Sequence, residues 1–269
     1  MIPAFFAEPA GILAESVHAE WTKLRTVRST VWLLATAVVL TVGISALSVG
    51  VIKCPATCSA DTTKTSLTGV LLGQAIVAVL AVLVMSGEYS TGMIRATITA
   101  TPRRLVMMSA KAIILTAVVL TVAAVSVLGS LLAGRYLLPH NGFTRAADFV
   151  PLSTYYGPTL RAAVGSVLYL ALIALFSLGV ATAVRDSGVA MTVMLGLIYV
   201  IPILGGLVLS KHWQHLIGRY APTNAGLAVQ ATKNLTAQAI GPWAGLGVLA
   251  VWTAAALLIG SLLLKLRDA

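Results

Sequence analysis

The chain has 269 residues, 58% of them hydrophobic and 10% charged, with a formal net charge of +10. A soluble domain carries about 25% charged residues, and this much apolar surface would leave a soluble fold with large exposed patches, so the composition excludes a soluble enzyme and points to one polytopic membrane domain. The 18 Lys and Arg residues are scattered between apolar runs rather than gathered on one face, which makes them topology and headgroup charges and excludes nucleic acid as a partner.

Residues 1–30 are expected to form a cytosolic interfacial helix. Leu13, Val17, Trp21, Leu24 and Val27 recur at helical spacing on one face, and Glu20 interrupts that face. Such a helix lies in the headgroup plane with its tryptophan at the boundary. No basic start, short apolar stretch and small-residue cleavage site occur in this region, so insertion is expected to use the first true span.

Six uncharged apolar segments follow, at 31–52, 66–87, 112–134, 162–184, 188–210 and 243–264. Each is long enough to cross a hydrocarbon core of roughly 30 Å as a helix. In the third, twelve Ile, Leu and Val residues together contribute about −4 to −7 kcal/mol toward insertion. The expected fold is therefore all-α, with a six-span domain over 31–264 and a short tail at 265–269. With the N-terminus inside, ten Lys and Arg fall on the inner side and eight on the outer. Lys23, Arg25 and Arg28 before the first span outweigh Lys53 and Lys64 after it, which puts both termini in the cytosol.

The first outer loop carries Cys54 and Cys58 as C-P-A-T-C. An extracellular compartment permits a disulfide there, and two free thiols are the alternative. In the second span Gln74 is a lone carboxamide. It is costly in lipid without a partner, so it faces another helix or a cavity. The loop 135–161 holds Pro139, Pro151 and Pro158 and reads as irregular. In the fifth span Pro202, followed by Gly205 and Gly206, weakens or kinks the helix. Gln74, Tyr199 and Pro202 are the candidates for lining a substrate path. The loop 211–242 has a helix-compatible middle at 225–239 that either re-enters the membrane or lies on it. His212 and His215 flank an aromatic anchor, with no carboxylate near enough to complete a metal site. Asn234-Leu235-Thr236 fits a glycosylation acceptor, which has meaning only in a secretory-pathway host.

Between the second and third spans lies one polar island, 88–111, reading E-Y-S-T-G-M-I-R-A-T-I-T-A-T-P-R-R-L-V-M-M-S-A-K. It is too charged for hydrocarbon and too amphipathic for a plain connector. Glu88 stands at the end of a span and needs a cation, either Arg95 or one on a partner. Gly92 permits a sharp turn. Ile94, Thr97 and Ile98 share helical spacing suited to an apolar groove. Pro102 ends a short helix ahead of Arg103 and Arg104, and Lys111 opens the next span. Arg103 and Arg104 serve either a docking partner or lipid headgroups. No G-x-x-x-x-G-K-[ST] occurs, so the chain is not expected to bind ATP through such a loop. The spans hold no Asp, Glu, Lys, Arg or His, the groups that ion-coupled carriers use as relays.

The island resembles the cytosolic linker of type 2 ABC-exporter permeases, which place Glu, Gly-Thr, Arg and then Pro and Arg in this order before a Lys. Met93 stands here where that Thr is common. A-E-W-T-K-L-R-T-V-R-S-T at 19–30, A-P-T-N-A at 221–225 and G-P-W-A-G-L at 241–246 also resemble actinobacterial members, so the likeness runs along the whole chain. It implies a permease of a bacterial plasma membrane, six spans per chain, pairing with a second permease chain, most simply as a homodimer. It implies no catalytic activity and no cofactor in this chain, with ATP and Mg on a separate ATPase subunit. The island then becomes the coupling helix, with Glu88, Gly92, Arg95, Thr97, Ile98, Pro102, Arg103, Arg104 and Lys111 as ATPase-coupling residues. The substrate class it implies is amphipathic or hydrophobic: drug-like, peptide or lipid. Against this stand an ATP-independent carrier or channel, and a non-transporting sensor or scaffold that uses the island to hold a partner.

Overall fold

The computed structural model describes residues 9–53, 61–90, 104–143, 157–207 and 210–266. Among them every regular element is helical. α1 covers Pro9–Thr26, α2 Arg28–Val51, α3 Thr62–Ser66, α4 Val70–Ser90, α5 Arg104–His140 and α6 Gly157–Val184. α7, Ser187–Leu195, continues through a π-turn at Gly196–Val200 into α8, Ile201–Leu207. α9 is Lys211–Tyr220, α10 Pro222–Leu227 and α11 Pro242–Leu266.

Among the described residues six helices are long and apolar enough to cross a membrane: α2, α4, α5, α6, the α7–α8 unit and α11. The chain thus has the architecture of a multi-pass membrane protein. All six expected segments coincide with these helices, but α5 extends well past the uncharged run at 112–134. Its 37 residues reach about 55 Å at 1.5 Å each, so its ends project beyond a hydrocarbon core. The uncharged run marks what lies in lipid. Helical bonding continues past it, since Arg104, Lys111 and Arg135 fit a helix that runs on into headgroups or protein.

α6 is the central helix. Of its span 61% is buried, against 22% for each of α2, the α7–α8 unit and α11. It packs on α4, α5, α7 and α11, with Tyr169, Ile173 and Leu178 in the core beside Met85, Leu115, Met194 and Leu249. Its crossing with α11 depends on two glycines. A Cβ at Gly260 would stand 2.7 Å from the Gly179 carbonyl oxygen, and one at Gly179 would stand 2.7 Å from backbone atoms of Ala256 and Leu257. In lipid no hydrophobic force drives helix onto helix, so close backbone approach between small residues supplies the packing.

Two sequence expectations about shape receive a physical account. Pro202 does not simply bend its helix. Proline has no N–H, and its ring crowds the carbonyl four residues back, here that of Ile198. The helix answers with the π-turn just before it, where the Ile201 N–H bonds the Gly196 carbonyl five residues back. The helix expected at 225–239 is not formed. The chain is helical earlier, over Lys211–Tyr220 and Pro222–Leu227, and then becomes 3-10 turns at Ala228–Gln230 and Leu235–Ala237. The backbone N–H groups of Thr232 and Lys233 are taken by the Asp61 carboxylate, so they cannot propagate a helix, and Asn234 turns left-handed at φ 52°.

The two ends of the bundle differ. The terminal end holds α1, the close of α4, the start of α5, the α6–α7 turn and the close of α11. At that turn Arg185 adopts φ 63°, Asp186 caps α7 by accepting the Val189 N–H at 2.8 Å, and Arg185 Nη2 donates to the Leu263 carbonyl at 3.3 Å. The loop end holds α3, the close of α5, the start of α6 and the segment 210–241. The Gly179–Gly260 crossing should be intolerant of volume. We expect Gly260→Val to lower the melting temperature of the detergent-purified protein by several degrees, in keeping with about 1–3 kcal/mol of overpacking. Gly206→Val, where the glycine has open space, should leave it unchanged.

Candidate functional site

At the terminal end α1 lies against α5 and α2. Its fixing point is an ion pair. Lys111 Nζ donates to Glu20 Oε1 at 2.8 Å, with the lysine side chain fully buried and the glutamate 12% exposed. This explains the acidic residue that interrupts the apolar face of α1. Glu20 is on that face because the neighbouring helix presents a cation there. Val17 and Leu24 on either side are partly buried, and Trp21 stays 45% exposed, as an interfacial anchor requires.

Of the residues expected to form the coupling element, Lys111 is therefore placed inside the bundle, directly before the uncharged run at 112–134. Glu88 falls in the last turn of α4, through Ser90, and Arg104 opens α5. Their side chains, and all of Gly92, Arg95, Thr97, Ile98, Pro102 and Arg103, lie outside the described residues, as do Cys54 and Cys58.

In the bundle core the structure brings two of the three substrate-path candidates together. Gln74 is fully buried on α4, and its Oε1 accepts from the Tyr169 hydroxyl of α6. The Tyr199 hydroxyl, on the π-turn, donates to the Leu71 carbonyl one turn before Gln74. Thr223 of α10 is buried beside Tyr169. Gln74 Nε2 and Thr223 Oγ1 are buried and make no hydrogen bond of normal geometry, although Thr223 neighbours the Tyr169 hydroxyl and Gln74 that of Tyr199. Two under-satisfied polar atoms in one region mark a place where a water or a polar ligand group fits. Pro202 is not among these groups; its part is to impose the π-turn that carries Tyr199. Tyr169 and Thr223 escaped the sequence reading. A tyrosine in mid-span whose hydroxyl needs a partner was the available signal for the first, whereas nothing local to A-P-T-N-A marked the second.

The loop end is organised around Asp61. Its carboxylate caps α3 through the Lys64 N–H at 3.1 Å. It also receives the N–H of Thr232, the N–H of Lys233 at 3.0 Å and the Thr232 hydroxyl at 2.7 Å. Arg161 Nη2 holds the adjoining Ala231 carbonyl at 2.6 Å. One anion and one cation thus grip the same turn from opposite sides. Burial pushes the Asp61 carboxyl up, but the hydrogen bonds from Thr232, Lys233 and Lys64 outweigh it and hold the group below its ordinary 3.8. The pinned segment then inserts between α6 and α11, where Pro222, Thr223, Ala225 and Val229 are buried. Gly245 has no room for a side chain, since a Cβ there would stand 2.0 Å from the Ala225 carbonyl oxygen. The middle of 211–242 is thus docked on protein, a setting in which non-helical backbone is tolerated.

Among the described residues no group of three or more His, Cys, Asp or Glu side chains is placed to hold a metal ion. His212 stacks edge-on against Trp213, and that tryptophan is 57% exposed, which suits an interfacial anchor on α9.

Comparison with known proteins finds no family model that matches the chain and no curated relative.

Two outcomes are expected. Lys111→Met leaves Glu20 buried without its cation and should cost about 3–5 kcal/mol, while Glu20→Gln combined with Lys111→Met should recover most of it, read as melting temperatures in a double-mutant cycle. Asp61, whose pKa is lowered on folding, contributes stability that is present above 3.8 and lost as pH falls through the folded value. The melting-temperature gap between wild type and Asp61→Asn should therefore be full at neutral pH and close as the pH is taken below 3.8.

Proposed function

We propose that this chain is the membrane-spanning permease subunit of an ATP-driven exporter in a bacterial plasma membrane. It pairs with a second copy of itself and with a separate ATPase that binds ATP and Mg, and it moves an amphipathic or hydrophobic substrate outward. Both termini and the island at 88–111 face the cytosol in this reading. The observation that carries it is the island itself: a charged, amphipathic segment with the order Glu88, Gly92, Arg95, Pro102 and Arg103-Arg104, set between two uncharged spans of a chain that has no phosphate-cradling loop.

The geometry suits that role in two ways. First, α4 and α5 flank the island, so a force applied there reaches two spans directly. Lys111 links the base of α5 to α1 through Glu20, so α1 moves with α5 rather than independently. Second, α4 carries Gln74 and the Leu71 carbonyl into contact with Tyr169 and Tyr199. A displacement of α4 alters hydrogen bonds in the core, where a substrate's polar group would be met. The protein is then a two-state element biased from one end.

The test is reconstitution with the ATPase subunit in liposomes. Export requires ATP and both subunits, and the chain alone transports nothing. Glu88→Ala and Arg95→Ala insert and assemble normally but lose most export while hydrolysis continues. Unchanged export by both variants sinks the coupling role, and transport by the chain alone sinks the exporter reading.

A further inference from the structure

A cleft of about 480 Å³ opens at the loop end, over the buried polar groups of the core. Leu71 of α4 lines it, and the Leu71 carbonyl is the group that accepts the Tyr199 hydroxyl. Asn224 of α10 lines it one residue after Thr223, which is buried beside Tyr169. Gln230 lines it as well, and its Nε2 donates at 3.1 Å to Ser166 Oγ, one turn before Tyr169 on α6. Three residues thus join the cleft to the core cluster. One lip is held in place, because Asp61 and Arg161 grip the turn at 231–233 that follows Gln230.

The lining combines two chemistries. Leu71, Leu227 and Ile240 give an aliphatic wall, and Asn224, Gln230 and Gln238 bring three carboxamides to one space. A carboxamide offers both N–H donors and a carbonyl acceptor. With the Gln230 nitrogen spent on Ser166, its oxygen remains to accept. That set complements a main-chain amide, which donates once through its N–H and accepts through its carbonyl. Among the described residues that line the cleft there is no aromatic ring on which a sugar face would stack. We infer that the cleft binds a short uncharged peptide segment, its main-chain amides paired with Asn224, Gln230 and Gln238 and its aliphatic side chains against Leu71, Leu227 and Ile240. The volume falls within the range of small-ligand sites. Lys64 stands exposed at the mouth, and an uncharged peptide asks nothing of its charge. The site rests on the fold; that such a peptide is the exported substrate, met here on its outward path, rests on the exporter reading.

The test uses the full chain in phosphatidylcholine nanodiscs, without the ATPase. It is irradiated with an N-acetylated, C-amidated leucine tripeptide whose central residue carries a diazirine, and the labelled residues are mapped by mass spectrometry. Saturable labelling of Leu71, Leu227 and Ile240 is expected. The unlabelled tripeptide should displace it, and the depsipeptide analogue, with ester oxygens in place of the amide N–H groups, should compete about tenfold more weakly. Gln238→Met, which keeps the volume and removes the carboxamide, should weaken binding about fivefold. Leu71→Trp, which narrows the cleft, should abolish labelling of Leu227 and Ile240 while the melting temperature stays at the wild-type value. No saturable labelling, equal competition by the depsipeptide, wild-type affinity in Gln238→Met, or labelling of the same residues by photoreactive phosphatidylcholine that the peptide does not displace overturns the site. Each of these results leaves ATP-driven export, measured separately, untouched.

Discussion

Hydrocarbon offers no hydrogen bonds, so every polar group carried into it must find its partner within the protein. That constraint organises this molecule more than any apolar contact does. Threonine and serine hydroxyls along the spans turn back onto carbonyls of their own helices, as Ser166, Ser177 and Thr182 do on α6. Groups too long for that solution are paired across helices: Gln74 with Tyr169, Tyr199 with the Leu71 carbonyl, Lys111 with Glu20. These pairings join α4 to α6, α4 to the π-turn, and α5 to α1. The polar groups fix which helices are neighbours, while the apolar surface, alike on all sides, leaves that choice open.

The two ends of the bundle apply the same rule in different ways. At the loop end one carboxylate, Asp61, and one guanidinium, Arg161, hold the turn at 231–233 and so keep a partly non-helical segment docked between two spans. At the terminal end a buried ion pair holds a helix that lies outside the spans. Neither is a dependable source of net stability by itself, since desolvation offsets much of the attraction. Both specify position, because any other arrangement leaves a charge or an amide unpaired. Among the described residues the rule is not fully met at Gln74 and Thr223, at Ser130 of α5 and at the Arg161 Nε. The first two lie between the segment pinned at the loop end and the helix that leads to the island.

Much of the fold was legible in the sequence. Length and absence of charge located six spans, since no other arrangement hides that much uncharged apolar chain from water. The need of Gln74 for a partner followed from its type alone, and Pro202 announced an irregularity. What could not be read was identity of partners. Glu20 looked like a flaw on an amphipathic face because Lys111 is 91 residues away in the chain. Residues 225–239 looked helical because local propensity knows nothing of Asp61, 171 residues from Thr232.

The sequence by itself therefore determined the class of protein, the number of spans and the polar island between the second and third of them, because these depend on composition and on a 30 Å slab that every chain must cross alike. The tertiary structure decided which polar groups meet, where α1 is anchored, that proline is accommodated by a π-turn, and that the 222–231 segment docks between α6 and α11. These depend on pairings across long stretches of chain, and a pairing is a property of two residues brought together, which neither residue's local sequence contains.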